Sequence, residues 1–339
     1  MAVVRRGGLC YNMKRNQQKG IFVNMSTRHW GKRLAALMCL LAMLLLTGCH
    51  PLMEGEDALE RKYVSTTFYP LYSLAVNIVK DVPALSLSCL TQPQDGCIRS
   101  YELSDWDYQT LMAQDAVIFA GRGLESFEGT LTQLTNGPIL LSALEGASLR
   151  NEDSGDSDDE NTSHFIGENP WSFLSVAGAM EISIAVAGDM AVIDELFAEK
   201  YHENLTEYLA RLETLISQMS DILARAPYRK VAVLHEGLTY FAGQFSLNMV
   251  CIYPREPGSD LIDNDLDALL EALAQSGAEV VLIEEQAPSA LVNALEAAGY
   301  PVARLDTLTA HRADGDTGKY ERIMLENAEA LAEALKRAE

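Results

Sequence analysis

His235 and Glu236 close an apolar run in the stretch Val231 to Leu247, "VAVLHEGLTYFAGQFSL", and an amphipathic segment with Leu238, Phe241 and Phe245 on one face follows at once. A neutral imidazole at that place could ligate a divalent cation, with the neighbouring carboxylate orienting the ring. It could equally be a hydrogen-bonded structural histidine, and Glu236 a charge near a helix N-terminus. A second acidic pair, Glu284 and Glu285, ends the run "VVLIEE". A carboxylate there can complete a cation site or cap the helix that follows. The chain carries no G-x-S-x-G elbow, no Walker loop and no H-E-x-x-H, of which "LHEGL" has only the first half. These residues read as binding chemistry, not as an enzyme.

Such residues work only if strands end in the right place. "KYVSTTF", "ALSLSCL", "AVIFAG" and "PILLSAL" read as strands, with "PLYSLAVNIV" and "DWDYQTLMAQ" as helices between them. After Pro227 the pattern recurs: "VAVL", "SLNMVCI", "EVVLIEE" and "PVARLD" are strand-like, and "DLDALLEALAQS" and "PSALVNALEAA" helix-like. Alternation of this kind predicts α/β architecture with doubly wound parallel sheets. Between the two units, Tyr201 to Leu223 keeps a helical apolar period through Leu205, Tyr208, Leu209, Leu212, Leu215, Ile216, Met219 and Ile222, and Pro227 ends it. The expected layout is a first lobe over 61–198, a linking helix over 199–227 and a second lobe over 228–339. In open α/β sheets ligands bind beyond the carboxyl ends of strands, where His235 and Glu284 fall.

The N-terminus reads as targeting sequence. Arg28, Lys32 and Arg33 precede the apolar run Leu34 to Leu46, and "LTGC" brings the chain to Cys49. Such a run is short of the ~20 residues that span a bilayer, and small residues before the cysteine form a lipobox. Cleavage and acylation at Cys49 are expected, with Met25 as the start, residues 1–48 removed and 49–60 as a tether. Removal takes eight of the 26 Lys and Arg and none of the 48 Asp and Glu, so the charge falls from −22 to −30. A surface that acidic is a poor match for nucleic acid. Within the first lobe, the segment 150–164 contains "NEDSGDSDDE" and reads as a solvated loop or a low-affinity cation trap. Cys89 and Cys97 could form a bridge, remain thiols or bind soft metals, and spacing does not choose among these.

The order of "STTFYPLYSLA", "YELSDWDYQTL", "DAVIFAGRGLESF", "ENPWSFLS", "YHENLTEYLARLETL", "VAVLHEGLTYFAGQFSL", "VLIEEQAPSALVNAL" and "YERIMLENAEAL" behind a lipobox resembles the metal-binding lipoproteins of zinc and manganese ABC importers. The resemblance implies two α/β lobes bridged by a rigid helix, Zn2+ or Mn2+ held in the cleft as cargo, and delivery by an extracytoplasmic, lipid-anchored monomer to an ABC permease and its ATPase. It assigns His235 and Glu284 as metal ligands. It also marks this chain as divergent, because Arg99 and Trp171 stand where the family carries its first two histidines. Neither side chain can ligate a metal. Further donors would have to come from Glu236, Glu285, Cys97, Asp105, Asp107 or His311. The same scaffold could instead hold a non-metal ligand or metal complex between Arg99 and Trp171. A third expectation makes Arg99 itself the cation, facing Glu284 and Glu236 across the cleft.

Overall fold

The computed structural model describes residues 59–93, 97–152, 167–227, 229–253 and 263–338. The expected acylation site Cys49, most of the tether and the acidic segment from residue 153 onward lie outside the described residues.

The first lobe is built on β1 (Lys62–Thr66), β2 (Leu85–Cys89), β3 (Ala116–Phe119) and β4 (Ile139–Ser142), all paired parallel in the order β2-β1-β3-β4. Helices α1 (Tyr69–Ile78), α2 (Asp105–Met112) and the short α3 (Glu128–Leu131) connect them. Strand β3 is an unbroken apolar run because a parallel sheet has both faces covered, and all four of its residues are buried. Pro70 sits in the first turn of α1, where its missing N–H costs nothing. Asp107 does not act as a free donor. It forms a capping box with Ser104 at the start of α2, so its carboxylate is committed to the local fold.

Two features were not foreseen. Arg150–Glu152 (β5) and Gly167–Asn169 (β6) form an antiparallel ribbon at the base of the acidic segment. A 3-10 turn over Ser172–Leu174 then leads into α4 (Val176–Ile193), apolar on nearly every side. Among the described residues it is the one helix long and apolar enough to cross a membrane, but it packs on α1 and on the linking helix as a core element.

That linking helix, α5 (Ala198–Leu223), buries Tyr201, Asn204, Tyr208, Leu212, Leu215 and Met219, spaced three and four apart on one stripe. The second lobe follows with β7 (Lys230–Val233), α6 (Leu238–Gln244), β8 (Asn248–Ile252), α7 (Asp263–Ser276), β9 (Val280–Glu284), α8 (Ser289–Ala297), β10 (Val302–Leu305) and α9 (Lys319–Arg337). Its sheet is again all parallel, in the order β10-β9-β7-β8, which repeats the winding of the first lobe. The stripe of α5 rests on α1 and α4 from the first lobe and on α9 from the second, so one apolar core runs through both lobes. Arg211 adds polar ties at the same junction, reaching Asn77 of α1, the Thr317 carbonyl at 3.4 Å and Glu321 of α9 at 3.5 Å.

Candidate functional site

Each sheet has one place where the chain reverses its direction of winding. In the first lobe β1 leads to β2 on one side and β3 leads to β4 on the other, so a crevice opens beyond the carboxyl ends of β1 and β3. In the second lobe the equivalent crevice lies beyond β7 and β9. His235 follows β7 by two residues and Glu284 is the last residue of β9, so winding alone brings both to the switch point. Both are buried at 2 % exposure. Glu285, expected beside them, is solvent-exposed, and its amide donates to the Leu305 carbonyl at 2.8 Å. Alternation along an extended strand turns neighbouring side chains to opposite faces, so Glu284 and Glu285 cannot share one site.

The opposite wall comes from two first-lobe segments. Arg99 lies in the loop between β2 and α2, anchored by the buried Ile98, whose carbonyl accepts from the Ser126 amide at 3.3 Å. Trp171 is 1 % exposed and is set by Asn169, whose side-chain oxygen accepts from the Trp171 amide at 3.0 Å. Both side chains converge on Glu236. The Arg99 guanidinium approaches the Glu236 carboxylate Oε1 to 2.6 Å, and the Trp171 indole N–H donates to the same oxygen at 2.7 Å. Arg99 also lies over the indole, 5.7 Å from the ring centroid, and the His235 ring meets the indole edge-on with centroids 4.8 Å apart. Thus Arg99, Trp171, His235 and Glu236 form one buried cluster across the two lobes.

The wall is reinforced by residues to which the sequence offered little signal. The Asn169 side-chain amide donates to the Glu236 carbonyl at 3.0 Å and to the Thr239 hydroxyl at 3.3 Å. The Tyr240 hydroxyl donates to the Asn169 carbonyl at 2.7 Å and accepts from the Arg150 amide at 2.8 Å. Gln244 accepts from the Val176 amide at 2.6 Å, and Tyr320 donates to the Phe173 carbonyl at 2.9 Å. Both ends of α6, together with Tyr320 of α9, are therefore tied to first-lobe residues. Gly237 is small because nothing larger fits: a Cβ there would lie 2.7 Å from a Leu174 methyl and 2.8 Å from Trp171 Cβ.

The charge balance of the cluster decides its chemistry. Burial, and then the nearby Arg99 charge, hold the His235 pKa down to about 4, so the ring is neutral at physiological pH. Its Nδ1 accepts from the Gly237 amide at 3.1 Å, which puts the proton of the neutral ring on Nε2. A metal-binding histidine has the opposite arrangement, with its second nitrogen donating to a carbonyl or carboxylate. Among the described residues no group of three or more His, Cys, Asp and Glu is placed to hold a metal ion. Cys97 is half-buried against the first-lobe core, Asp105 is exposed, and His311 is engaged with Asp306 at 2.6 Å and lies tilted against Tyr69. The residues present, in this closed arrangement, do not fit a bare metal ion.

At the first-lobe switch point the sequence reading missed Glu125. It is 2 % exposed and accepts from the Ala120 amide at 2.6 Å, the Gly121 amide at 3.1 Å and the Thr67 hydroxyl at 2.8 Å. Burial raises its pKa against the pull of these donors. It ties the ends of β1 and β3 together and so shapes the crevice floor.

Comparison with known proteins places these features in context. The family described as ZnuA, zinc-uptake complex component A, periplasmic, matches residues 64–334. The zinc-binding lipoprotein AdcA of Streptococcus pneumoniae R6 is 23% identical over 276 residues, covering 78% of this chain and 52% of its own length. The chain thus spans about half the length of the AdcA relatives it matches. The high-affinity zinc uptake system protein ZnuA of Bacillus subtilis is 24% identical over 289 residues, covering 81% of this chain and 88% of that protein. Among solved structures, the SBP FpvC of Pseudomonas aeruginosa with Ni2+ superposes with a TM-score of 0.68 at 22% identity, covering 83% of this chain and 98% of that one. A ZnuA crystal structure superposes with a TM-score of 0.66 at 20% identity, covering 81% and 100%.

Proposed function

The chain belongs to the zinc-uptake complex component A family, and from that membership we propose that it is the extracytoplasmic solute-binding component of an ABC importer. It carries cargo to a permease driven by a separate ATPase and is a monomer held to the membrane through an acylated Cys49. Its family is one of solute-binding proteins, and the role assigned here is capture, not catalysis. The observation that carries the reading is architectural: two lobes with matched switch points face each other, and a linking helix packs on both. Such a layout encloses a small solute where strands from both lobes end. The cargo expected of the family is a divalent metal, Zn2+ or Mn2+, for which His235 and Glu284 would be second-lobe ligands only once Arg99 is displaced and the His235 ring has left its bond to the Gly237 amide. A second reading is favoured by the guanidinium and indole in the cleft: a metal complex or organic anion, recognised by charge and stacking.

Elemental analysis of protein purified without chelator, followed by titration with zinc and manganese, tests the cargo. Stoichiometric metal lost in His235→Ala supports the ion; a chain that binds neither metal at millimolar concentration supports the second reading. For the anchor, Cys49→Ser should leave the membrane fraction. Retention as tight as the parent's would refute it.

A further inference from the structure

The cluster around Glu236 has the composition of a filled site, and the filling comes from the protein itself. The Glu236 side chain is 12 % exposed and Arg99 14 %, and the two come from different lobes. A buried carboxylate is costly without compensation, and a guanidinium against it supplies the compensating charge. The indole N–H of Trp171 donates to the same oxygen, so Oε1 is covered from the first-lobe side by one cation and one hydrogen bond. His235 fits the same picture, since its Nδ1 is spent on the Gly237 amide and no lone pair of the neutral ring faces the cleft. We infer that Arg99 is the specificity-determining residue of this cleft: its guanidinium latches the lobes through Glu236 and keeps bare divalent cations out, so that a cation enters only by displacing it.

The inference rests on the solute-binding reading but goes beyond it, because it predicts which state the empty protein adopts. A binding protein with no internal cation would rest open when empty, with acidic groups repelling across the gap. With the Arg99 latch across the lobes, the protein should instead rest closed without any cation. Arg99 acts through charge and through its contact with the indole face, so a lysine, which keeps charge but lacks the planar fork, replaces it only in part.

The test uses the full-length chain in detergent, in a Trp30→Phe, Trp106→Phe background that leaves Trp171 as the single indole. Two quantities are read: Trp171 emission in chelator-treated protein, and zinc affinity by competition with a chromophoric chelator. Arg99→Ala should shift the emission to the red as the cleft opens. It should also raise zinc affinity at least about tenfold, a lower bound beneath the Coulomb difference for a unit charge ~4 Å away at an effective dielectric of ~20. Arg99→Lys should leave zinc affinity within about threefold of the parent, because the excluding charge remains. Parent-like emission and affinity in Arg99→Ala would overturn the inference, as would tight stoichiometric zinc in the parent. If Arg99→Ala gives no cooperative melt, Glu236→Gln tests the latch from the other lobe: a red shift supports it, and unchanged emission overturns it. Failure of the importer reading is distinguishable, since it would appear as no cargo-dependent uptake in cells with any variant, whatever the emission does.

Discussion

Gly237→Ala tests how tightly the lobes are closed. The added methyl would sit 2.7 Å from Leu174 Cδ1, 2.8 Å from Trp171 Cβ and 3.0 Å from Trp171 Cγ, all first-lobe atoms facing a second-lobe glycine. Normal carbon contacts are about 3.5–4.0 Å, so each must lengthen by close to an ångström. Trp171 cannot retreat, being fully buried against Phe173 with its indole N–H held by Glu236. Overpacking of this kind costs about 1–3 kcal/mol. Because the clash lies between lobes, it is relieved by separating them, and a cost of about 2 kcal/mol shifts the closed-to-open ratio by a factor of roughly 30. Trp171 emission should move to the red, and the amides of α6 should exchange faster with deuterated solvent. Adding Leu174→Ala, which removes the closest obstacle, should recover part of the closure. Parent-like emission and exchange in Gly237→Ala would show that the interface yields locally and that closure is looser than these contacts require.

Three further outcomes follow from the same geometry. Glu125→Ala strands two buried amides and the Thr67 hydroxyl, and chemical denaturation should report a loss of about 3–6 kcal/mol; a loss under about 1 kcal/mol would contradict its role at the ends of β1 and β3. His235 titrates near 4 when folded against 6.5 when unfolded, so its contribution is present above pH 6.5 and lost as pH falls towards 4, by about 3 kcal/mol in all. His235→Gln, measured by thermal melting from pH 7 to 4, should flatten that dependence. Arg211→Met removes the tie among α1, α5 and α9 and should cost about 1–3 kcal/mol by denaturant unfolding, with little change in Trp171 emission because the contact lies away from the indole.

What the sequence determined is what short-range pattern can encode. Apolar runs of four to seven residues separated by helical periods specified two parallel sheets, and the stripe from Tyr201 to Leu223 specified the helix between them. Strand ends then put His235 and Glu284 at the crevices, since the winding order fixes where a parallel sheet opens. Sequence also singled out Arg99 and Trp171 as residues that cannot ligate a metal. It could not say what they touch. Arg99 and Glu236 are 137 positions apart and Trp171 and Glu236 are 65 apart, and their meeting at one carboxylate oxygen depends on the angle between lobes, which the packing of α5 on α1, α4 and α9 sets. The same holds for the His235 tautomer, fixed by an amide two residues on only once α6 has turned in behind β7. α4 escaped notice because a helix apolar on nearly every side has no polar face to give it a period. Glu125 escaped because its meaning lies in the backbone amides of a turn that exists only when β1 and β3 pair.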